Sequence, residues 1–97
     1  MNNDWLGLGG KIAVVTGAAG GMGRAIATSF VEAGCAVALL DRAPDALKSL
    51  ERQLLDAGGR VTAILCDTGS EGSIADAALA SADRLGPADI LVNNAGI

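Results

Sequence analysis

The sequence predicts an α/β fold, a doubly wound parallel sheet, on two observations. Four short apolar runs alternate with three longer amphipathic runs along the 97 residues, and this alternation is typical of consecutive βαβ units. Each short run is apolar throughout, as expected for parallel strands that are covered on both faces. A chain of this length has room for one core, so we expect a single domain over residues 1–97.

The four apolar runs are the predicted strands, at residues 12–16, 36–41, 61–66 and 90–93. The amphipathic runs are the predicted helices, at residues 22–33, 44–57 and 70–85. Turn residues agree with these limits. Gly34 and Gly58 stand where helices end, and Pro44 suits the first turn of a helix. Ser70 is placed to cap the third helix, with Ser73 one turn on.

Right-handed crossovers predict the strand order 3-2-1-4. The first two helices then lie on one face of the sheet and the third lies on the other. This arrangement is an incomplete Rossmann-type sheet of four strands and three helices. The order reverses between strands one and four, and open α/β sheets bind ligands in the crevice at such a reversal, beside the carboxyl ends of the strands.

A glycine-rich turn, TGAAGGMG at residues 16–23, leads from the first strand into the first helix. A turn with almost no side chains lets backbone N–H groups approach an anion, and the helix that follows directs the positive end of its dipole at the same place. The turn therefore predicts a phosphate-binding loop. Its candidate binding residues are Gly17, Ala19, Gly20, Gly21, Met22 and Gly23. The alternative is a turn whose glycines only permit close packing.

Asp41 ends the second strand, 24 positions after Gly17. A carboxylate near this offset accepts hydrogen bonds from the adenosine ribose of NAD, and its charge repels the extra phosphate of NADP. Arg42 follows and is the one side chain here that suits such a phosphate, since Gly20 supplies no cation within the loop. We therefore expect NAD in preference to NADP. The alternatives are a strand-end acid that starts a turn and a solvated arginine.

Polar residues also follow the third and fourth strands. Asp67 is placed to accept a hydrogen bond from an adenine amino group, and Thr68 to offer backbone contacts. Both also suit an ordinary turn before a helix.

Asn93 and Asn94 end the fourth strand and are followed by Ala95 and Gly96. Buried amides need partners, so we expect the two asparagines to tie this strand to neighbouring backbone. Contact of Asn93, Ala95 and Gly96 with a bound cofactor is the second role.

The composition excludes several classes of function. The net charge is −4 and the seven basic residues are scattered singly, so we expect no nucleic-acid partner. No apolar run reaches the roughly 20 residues of a membrane helix, and the N-terminus has no signal-peptide pattern, so we expect a cytoplasmic location. The sequence has no histidine, which excludes a Cys/His metal site. Cys35 and Cys66 lie in apolar runs and are expected to be buried thiols.

Together, the loop at 16–23, Asp41, Asp67 and the segment at 93–96 resemble the N-terminal, cofactor-binding half of the short-chain dehydrogenase/reductase family, over the chain from Leu8 onwards. The resemblance implies a pyrophosphate loop at 16–23, ribose binding at position 41 and adenine binding at position 67. It also implies hydride transfer between NAD(P) and a small-molecule alcohol or ketone, and a homo-oligomer for a full-length form.

The chain departs from the family in its catalytic residues. Members of the family use a Ser, a Tyr and a Lys, the last two spaced Tyr-x-x-x-Lys, with the Tyr as general acid and base. This chain has no Tyr, and its only lysines are Lys11 and Lys48. No catalytic residue is therefore assigned. The sequence is interpreted as the cofactor-binding portion of an oxidoreductase, without the catalytic half.

Two other functions remain as alternatives. One is a nucleotide-binding or interaction module without catalysis, which the missing Tyr favours. The other is an adenosyl-methionine methyltransferase, which shares a glycine loop and a strand-end acid but has no need of the segment at 93–96. Because strand four would be an exposed edge, we also expect the 97-residue chain alone to be marginally folded or prone to association, with weak NAD binding and no turnover.

Overall fold

The computed structural model describes residues 9–67 and 70–94, with the side chain of Glu71 outside the described part. It has the seven predicted elements in the predicted order. They are β1 Ile12–Thr16, α1 Gly21–Glu32, β2 Ala36–Asp41, α2 Pro44–Asp56, β3 Arg60–Leu65, α3 Glu71–Leu85 and β4 Ile90–Asn93. β3 begins and ends one residue earlier than predicted. Cys66 lies beyond its end, although the Cys66 N–H still donates to the Asp41 carbonyl at 2.9 Å.

All strand pairs are parallel, and the order is β3-β2-β1-β4, as predicted. The register aligns the carboxyl ends. Thr16 lies opposite Leu40 on one side and opposite Asn93 on the other, and Asp41 lies opposite Leu65. Because the strands run the same way, the turns after them all emerge at one edge of the sheet, which becomes the place where a site can form.

The core has two layers, one on each face of the sheet. The larger layer packs under α1 and α2, and the smaller one under α3. The buried residues of the larger layer are Ala13, Val15, Ala18, Ala27, Cys35, Val37, Leu39, Leu47, Leu50 and Leu54. Those of the smaller layer are Val14, Ala38, Leu40, Ile64, Cys66 and Ala77. Aliphatic side chains of modest size therefore fill both layers, and β2 is buried from Ala36 to Leu40.

The expectation that every strand is covered on both faces is wrong for β4, and β3 is only partly buried. β4 has no buried residue among its four, and Leu91 on it is 68% exposed. On β3 only Ile64 is buried, and Leu65 is 61% exposed. The reason for the exposure of β4 is that α3 packs on β2 and β3 and does not cover Leu91, whereas β3 lies between α2 and α3 but at the edge of the sheet. A continuously apolar run therefore predicts a strand here but not its burial.

The predicted helix ends are confirmed. Gly34 and Gly58 both have positive φ, 93° and 88°, the conformation in which glycine ends a helix at no steric cost. The Ser70 side chain accepts a hydrogen bond from the Ser73 N–H at 3.3 Å, and Pro44 is in the first turn of α2.

Both cysteines are buried reduced thiols, as predicted. Burial raises the pKa of the Cys35 thiol, and the Asp89 carboxylate raises it further. Among residues 9–67 and 70–94, no helix combines the length and the apolar character that crossing a membrane requires. In the same described part, no cluster of three acidic or cysteine side chains is arranged to hold a metal ion.

Candidate functional site

The site begins at the turn between β1 and α1. Gly17 has φ of 64°, a conformation that L side chains rarely adopt. This residue turns the chain out of β1, and its carbonyl accepts a hydrogen bond from the Gly20 N–H at 3.2 Å. The Arg24 N–H donates to the Gly20 carbonyl at 2.8 Å and thereby starts α1. The loop is thus a tight turn that ends directly in a helix.

Gly23 is required by the fold itself. A Cβ at this position would overlap the carbonyl oxygen of Gly17 and lie 2.8 Å from its carbonyl carbon. Both atoms are backbone, so no side-chain movement relieves the overlap. The close-packing role considered for the glycines is therefore real for Gly23, because α1 rests directly on the loop at this point.

Gly20 and Gly21 have no such requirement. Neither has a positive φ. A Cβ on Gly21 would meet nothing within 4 Å, and a Cβ on Gly20 would lie 3.6 Å from the Gly17 oxygen, an ordinary contact. The packing of the described chain does not explain why these two positions lack side chains. Both are exposed, so the backbone here is open to an approaching molecule.

The N-terminus of α1 is left without side-chain compensation. Its N-cap, Gly20, makes no side-chain hydrogen bond, and the first turn contains no acidic residue. Met22, in that turn, is 63% exposed. Since the first N–H groups of a helix have no partner within it and its dipole is positive at this end, the structure presents a favourable position for an anion at the predicted loop.

Asp41 lies against this loop. Its Oδ2 accepts the Ala19 N–H at 2.9 Å and its Oδ1 accepts the Ala43 N–H at 3.0 Å. The half-buried carboxylate thereby joins the glycine loop to the start of α2. The sequence did not predict the contact with Ala19, whereas the contact with Ala43 is the strand-end turn given above as the alternative for Asp41. The signal for the second contact was present, because an Asp often accepts a hydrogen bond from the backbone two residues on.

β4 holds the other side of the loop through Thr16, which is 4% exposed. The Thr16 hydroxyl accepts the Asn94 N–H at 3.0 Å and lies 3.1 Å from Asn93 Oδ1, to which it donates. The Asn94 side-chain amide donates to the Gly17 carbonyl at 3.3 Å. The prediction that the asparagines tie strand four to neighbouring backbone is confirmed for Asn94, whereas the Asn93 side chain is held by the Thr16 hydroxyl instead of by backbone. The backbone that Asn94 holds is the glycine loop.

The remaining described residues of the predicted site are Arg42 and Asp67. Arg42 is exposed beside Asp41. Asp67 is exposed at the end of β3, and its N–H donates to the Ser73 hydroxyl at 2.9 Å, so Asp67 forms part of the turn into α3. The carboxylate role predicted for Asp67 stays a prediction. Thr68, Ala95 and Gly96 lie outside the described residues.

Comparison with known proteins gives consistent matches. The family model described as short chain dehydrogenase matches residues 11–97. The 7alpha-hydroxysteroid dehydrogenase of Escherichia coli strain K12 is 41% identical over 96 residues, which are 99% of this chain and 38% of that protein.

Two solved structures show the same fold with bound cofactors. A short-chain dehydrogenase/reductase from Burkholderia phymatum in complex with NAD matches 87% of this chain and 30% of its own, with 31% identity and a TM-score of 0.85. An actinorhodin polyketide ketoreductase with NADPH matches 87% of this chain and 32% of its own, with 34% identity and a TM-score of 0.84. The chain thus spans 30% to 38% of the length of these relatives.

Proposed function

The chain belongs to the short-chain dehydrogenase/reductase family, and on that premise we propose that residues 1–97 are the dinucleotide-binding part of an NAD(P)-dependent oxidoreductase. The whole protein would transfer hydride between the nicotinamide and a small-molecule alcohol or ketone. The relatives named above are a hydroxysteroid dehydrogenase and a ketoreductase, which supports this substrate class.

One observation carries the proposal. Gly20 and Gly21 have neither a strained φ nor a neighbour that a side chain would strike, yet they leave the uncapped N-terminus of α1 bare. Glycines that the packing does not need are explained by a ligand that needs close approach to the backbone. An uncapped helix N-terminus favours an anionic ligand. The pyrophosphate of a dinucleotide fits both requirements.

The site residues divide by the part of the cofactor they would hold. The backbone of the loop would bind the pyrophosphate, through Gly17, Ala19, Gly20, Gly21, Met22 and Gly23. Asp41 would bind the adenosine ribose, and Asp67 and Thr68 the adenine. Asn93, Ala95 and Gly96 would lie beside the rest of the cofactor. The bound nicotinamide supplies hydride chemistry, while these residues orient it and fix its position.

Asp41 also supports the choice of NAD. Its carboxylate accepts the Ala19 N–H of the loop at 2.9 Å, so a negative charge is held next to the place where the ribose would bind. Two of its roughly four lone-pair positions are used by backbone N–H groups, which leaves acceptor capacity for hydroxyls. An added phosphate on the ribose would meet this charge, with Arg42 as the nearby cation that favours it.

Gly21→Val tests the proposal on the longest polypeptide that the encoding reading frame yields. We expect the free energy of unfolding to stay within about 1 kcal/mol, because a Cβ at this exposed position meets no heavy atom within 4 Å. We expect NAD affinity, measured by calorimetry, to fall at least about tenfold, or roughly 1.4 kcal/mol of binding. Unchanged affinity in a folded Gly21→Val variant would contradict the phosphate-loop assignment.

Asp41→Ala tests the cofactor preference. Removal of the carboxylate deletes a ribose acceptor and a charge that repels phosphate, so NAD affinity should fall by about tenfold or more while NADP affinity falls less or rises. Calorimetric titration of both nucleotides measures the ratio. Arg42→Ala is the matched control, and we expect it to change the ratio in the opposite direction. An equal loss for both nucleotides would mean that Asp41 only braces the loop.

A further inference from the structure

In the sheet formed by residues 9–67 and 70–94, β3 is an edge strand that pairs with β2 alone. The Cys66 N–H donates to the Asp41 carbonyl of β2, so even-numbered residues of β3 direct their backbone groups at β2. In a parallel strand the N–H and C=O of one residue point to the same side. The odd-numbered residues therefore face outward, and Ala63 is the middle one.

Both backbone groups of Ala63 are occupied by side chains of opposite charge. Glu51 Oε2 accepts the Ala63 N–H at 2.9 Å. Arg84 Nη1 donates to the Ala63 carbonyl at 3.0 Å and also lies 3.0 Å from Thr62 Oγ1, to which it donates. Such charge-assisted hydrogen bonds are stronger than neutral ones. At the centre of this edge, the backbone N–H and the carbonyl of Ala63 are therefore both hydrogen-bonded to side chains.

The two side chains arrive from opposite faces of the sheet. Glu51 is on α2, which packs with α1 over one face, and Arg84 is in the last turn of α3, which packs over the other. Both side chains meet the strand edge at Ala63. No part of the proposed nucleotide site is involved, because those residues lie at the carboxyl ends of the strands.

We propose that Glu51 and Arg84 form an edge clamp that prevents a second copy of this chain from pairing with β3. An unpaired strand edge is a template for another strand. A strand added at β3 would have to displace the carboxylate from the Ala63 N–H and the guanidinium from its carbonyl. Both charges would then be left beside the new backbone without these partners, and this cost opposes pairing. The clamp does not depend on nucleotide binding.

The clamp is tested with the double variant Glu51→Ala/Arg84→Ala, again in the longest polypeptide that the encoding reading frame yields. The matched control is Arg52→Ala/Asp83→Ala, which removes one charge of each sign from neighbouring exposed positions on the same two helices. Each double variant removes one positive and one negative charge and so leaves the net charge unchanged, which separates a general change in solubility from loss of the clamp. Circular dichroism establishes that each variant is folded.

The diagnostic measurement is amide hydrogen exchange at Ala63 as a function of protein concentration, together with sedimentation. In the double clamp variant we expect exchange at Ala63 to accelerate at least about tenfold in dilute solution. We expect exchange to slow again as concentration rises and dimers appear in sedimentation. In the unmodified chain and in the control, exchange at Ala63 should not depend on concentration. Association through β4 would leave Ala63 unaffected and is thereby distinguished.

Glu51→Gln gives a second test with a small structural change. The Gln side chain keeps a carbonyl oxygen that accepts the Ala63 N–H, so we expect slow exchange and no dimer. Glu51→Ala alone should show the accelerated exchange, and this single change serves if the double variant does not fold. Exchange at Ala63 that is equally slow, at all concentrations, in Glu51→Ala and the unmodified chain would overturn the proposal. So would a double clamp variant that associates no more than its control.

Discussion

The turns from β1 into α1 and from β3 into α3 both lead from a parallel strand into a helix, but only the second is held by side-chain hydrogen bonds. The β3 turn is closed by side chains, because Ser70 accepts the Ser73 N–H and Ser73 accepts the Asp67 N–H. The β1 turn ends in Gly20, with no side-chain cap and no acidic residue in the first turn of α1. A helix start that the protein caps itself is structural, and one that it leaves bare is available to a ligand.

The β2 turn lies between these two cases. Pro44 and Asp45 stand in the first turn of α2, which supplies both a residue without an N–H and a charge that suits the helix dipole. Asp41 closes the same turn through the Ala43 N–H and still reaches the glycine loop. The N-cap is Gly20 in α1, Ala43 in α2 and Ser70 in α3. The comparison predicts where a mutation costs stability and where it costs binding.

Gly23→Val should have the largest effect. Its side chain would overlap the Gly17 carbonyl, so the loop and α1 must separate, and we expect the free energy of unfolding to fall by about 3 kcal/mol or more. Nucleotide binding should be lost as well. Denaturant unfolding measures the first effect. Gly21→Val is the control, because it adds the same side chain at an exposed position where the Cβ meets nothing within 4 Å. Equal stability of the two variants would break the distinction between a packing glycine and a ligand glycine.

Ser70→Ala should have an intermediate effect on the closed turn. Loss of the N-cap leaves the Ser73 N–H without the Ser70 oxygen, and we expect the free energy of unfolding to fall by about 1 kcal/mol. Ser29→Ala is the matched control, since Ser29 is exposed within α1 and its hydroxyl donates to the Ala25 carbonyl. That change should lie within about 0.5 kcal/mol of zero. If Ser70→Ala also leaves the free energy of unfolding within about 0.5 kcal/mol of the unmodified value, the Ser70 cap does not stabilise the β3 turn.

Asp45→Asn should have the smallest effect. The negative charge in the first turn of α2 favours the helix dipole, and its removal should cost about 0.3–0.5 kcal/mol at low ionic strength and less in concentrated salt. Asp56→Asn, at the last residue of α2, should change stability in the opposite direction. Denaturation midpoints at two salt concentrations measure both. A cost that does not respond to salt would point to a cause other than the dipole.

The fold followed from the sequence to a large extent because its signals are local. The alternation of runs, the glycines at 34 and 58 and Ser70 were enough to place every element within about two residues. Burial of the outer strands was not predictable in this way. Leu91 is apolar in a continuous apolar strand, yet it is exposed because α3 packs over β2 and β3. That outcome depends on where a distant helix settles.

The candidate site was predicted as a set of residues but not as a network. The sequence indicated the glycine loop, Asp41 and the paired asparagines. It did not show that the Asp41 carboxylate braces Ala19, since this contact spans 22 residues and depends on the approach of two turns. Nor did it separate Gly23 from Gly21, because only the backbone geometry shows which Cβ would strike the Gly17 carbonyl. The edge clamp has no local sequence signal either.

The hydrogen bond from the Asn94 side-chain amide to the Gly17 carbonyl joins residues 77 positions apart. Such a contact forms only after the intervening chain has been made, and distant pairings of this kind slow folding because a long loop must close first. Synthesis proceeds from the N-terminus, so the glycine loop would be made early and fixed late. The loop that would bind the pyrophosphate therefore reaches its described geometry only when β4 docks on β1.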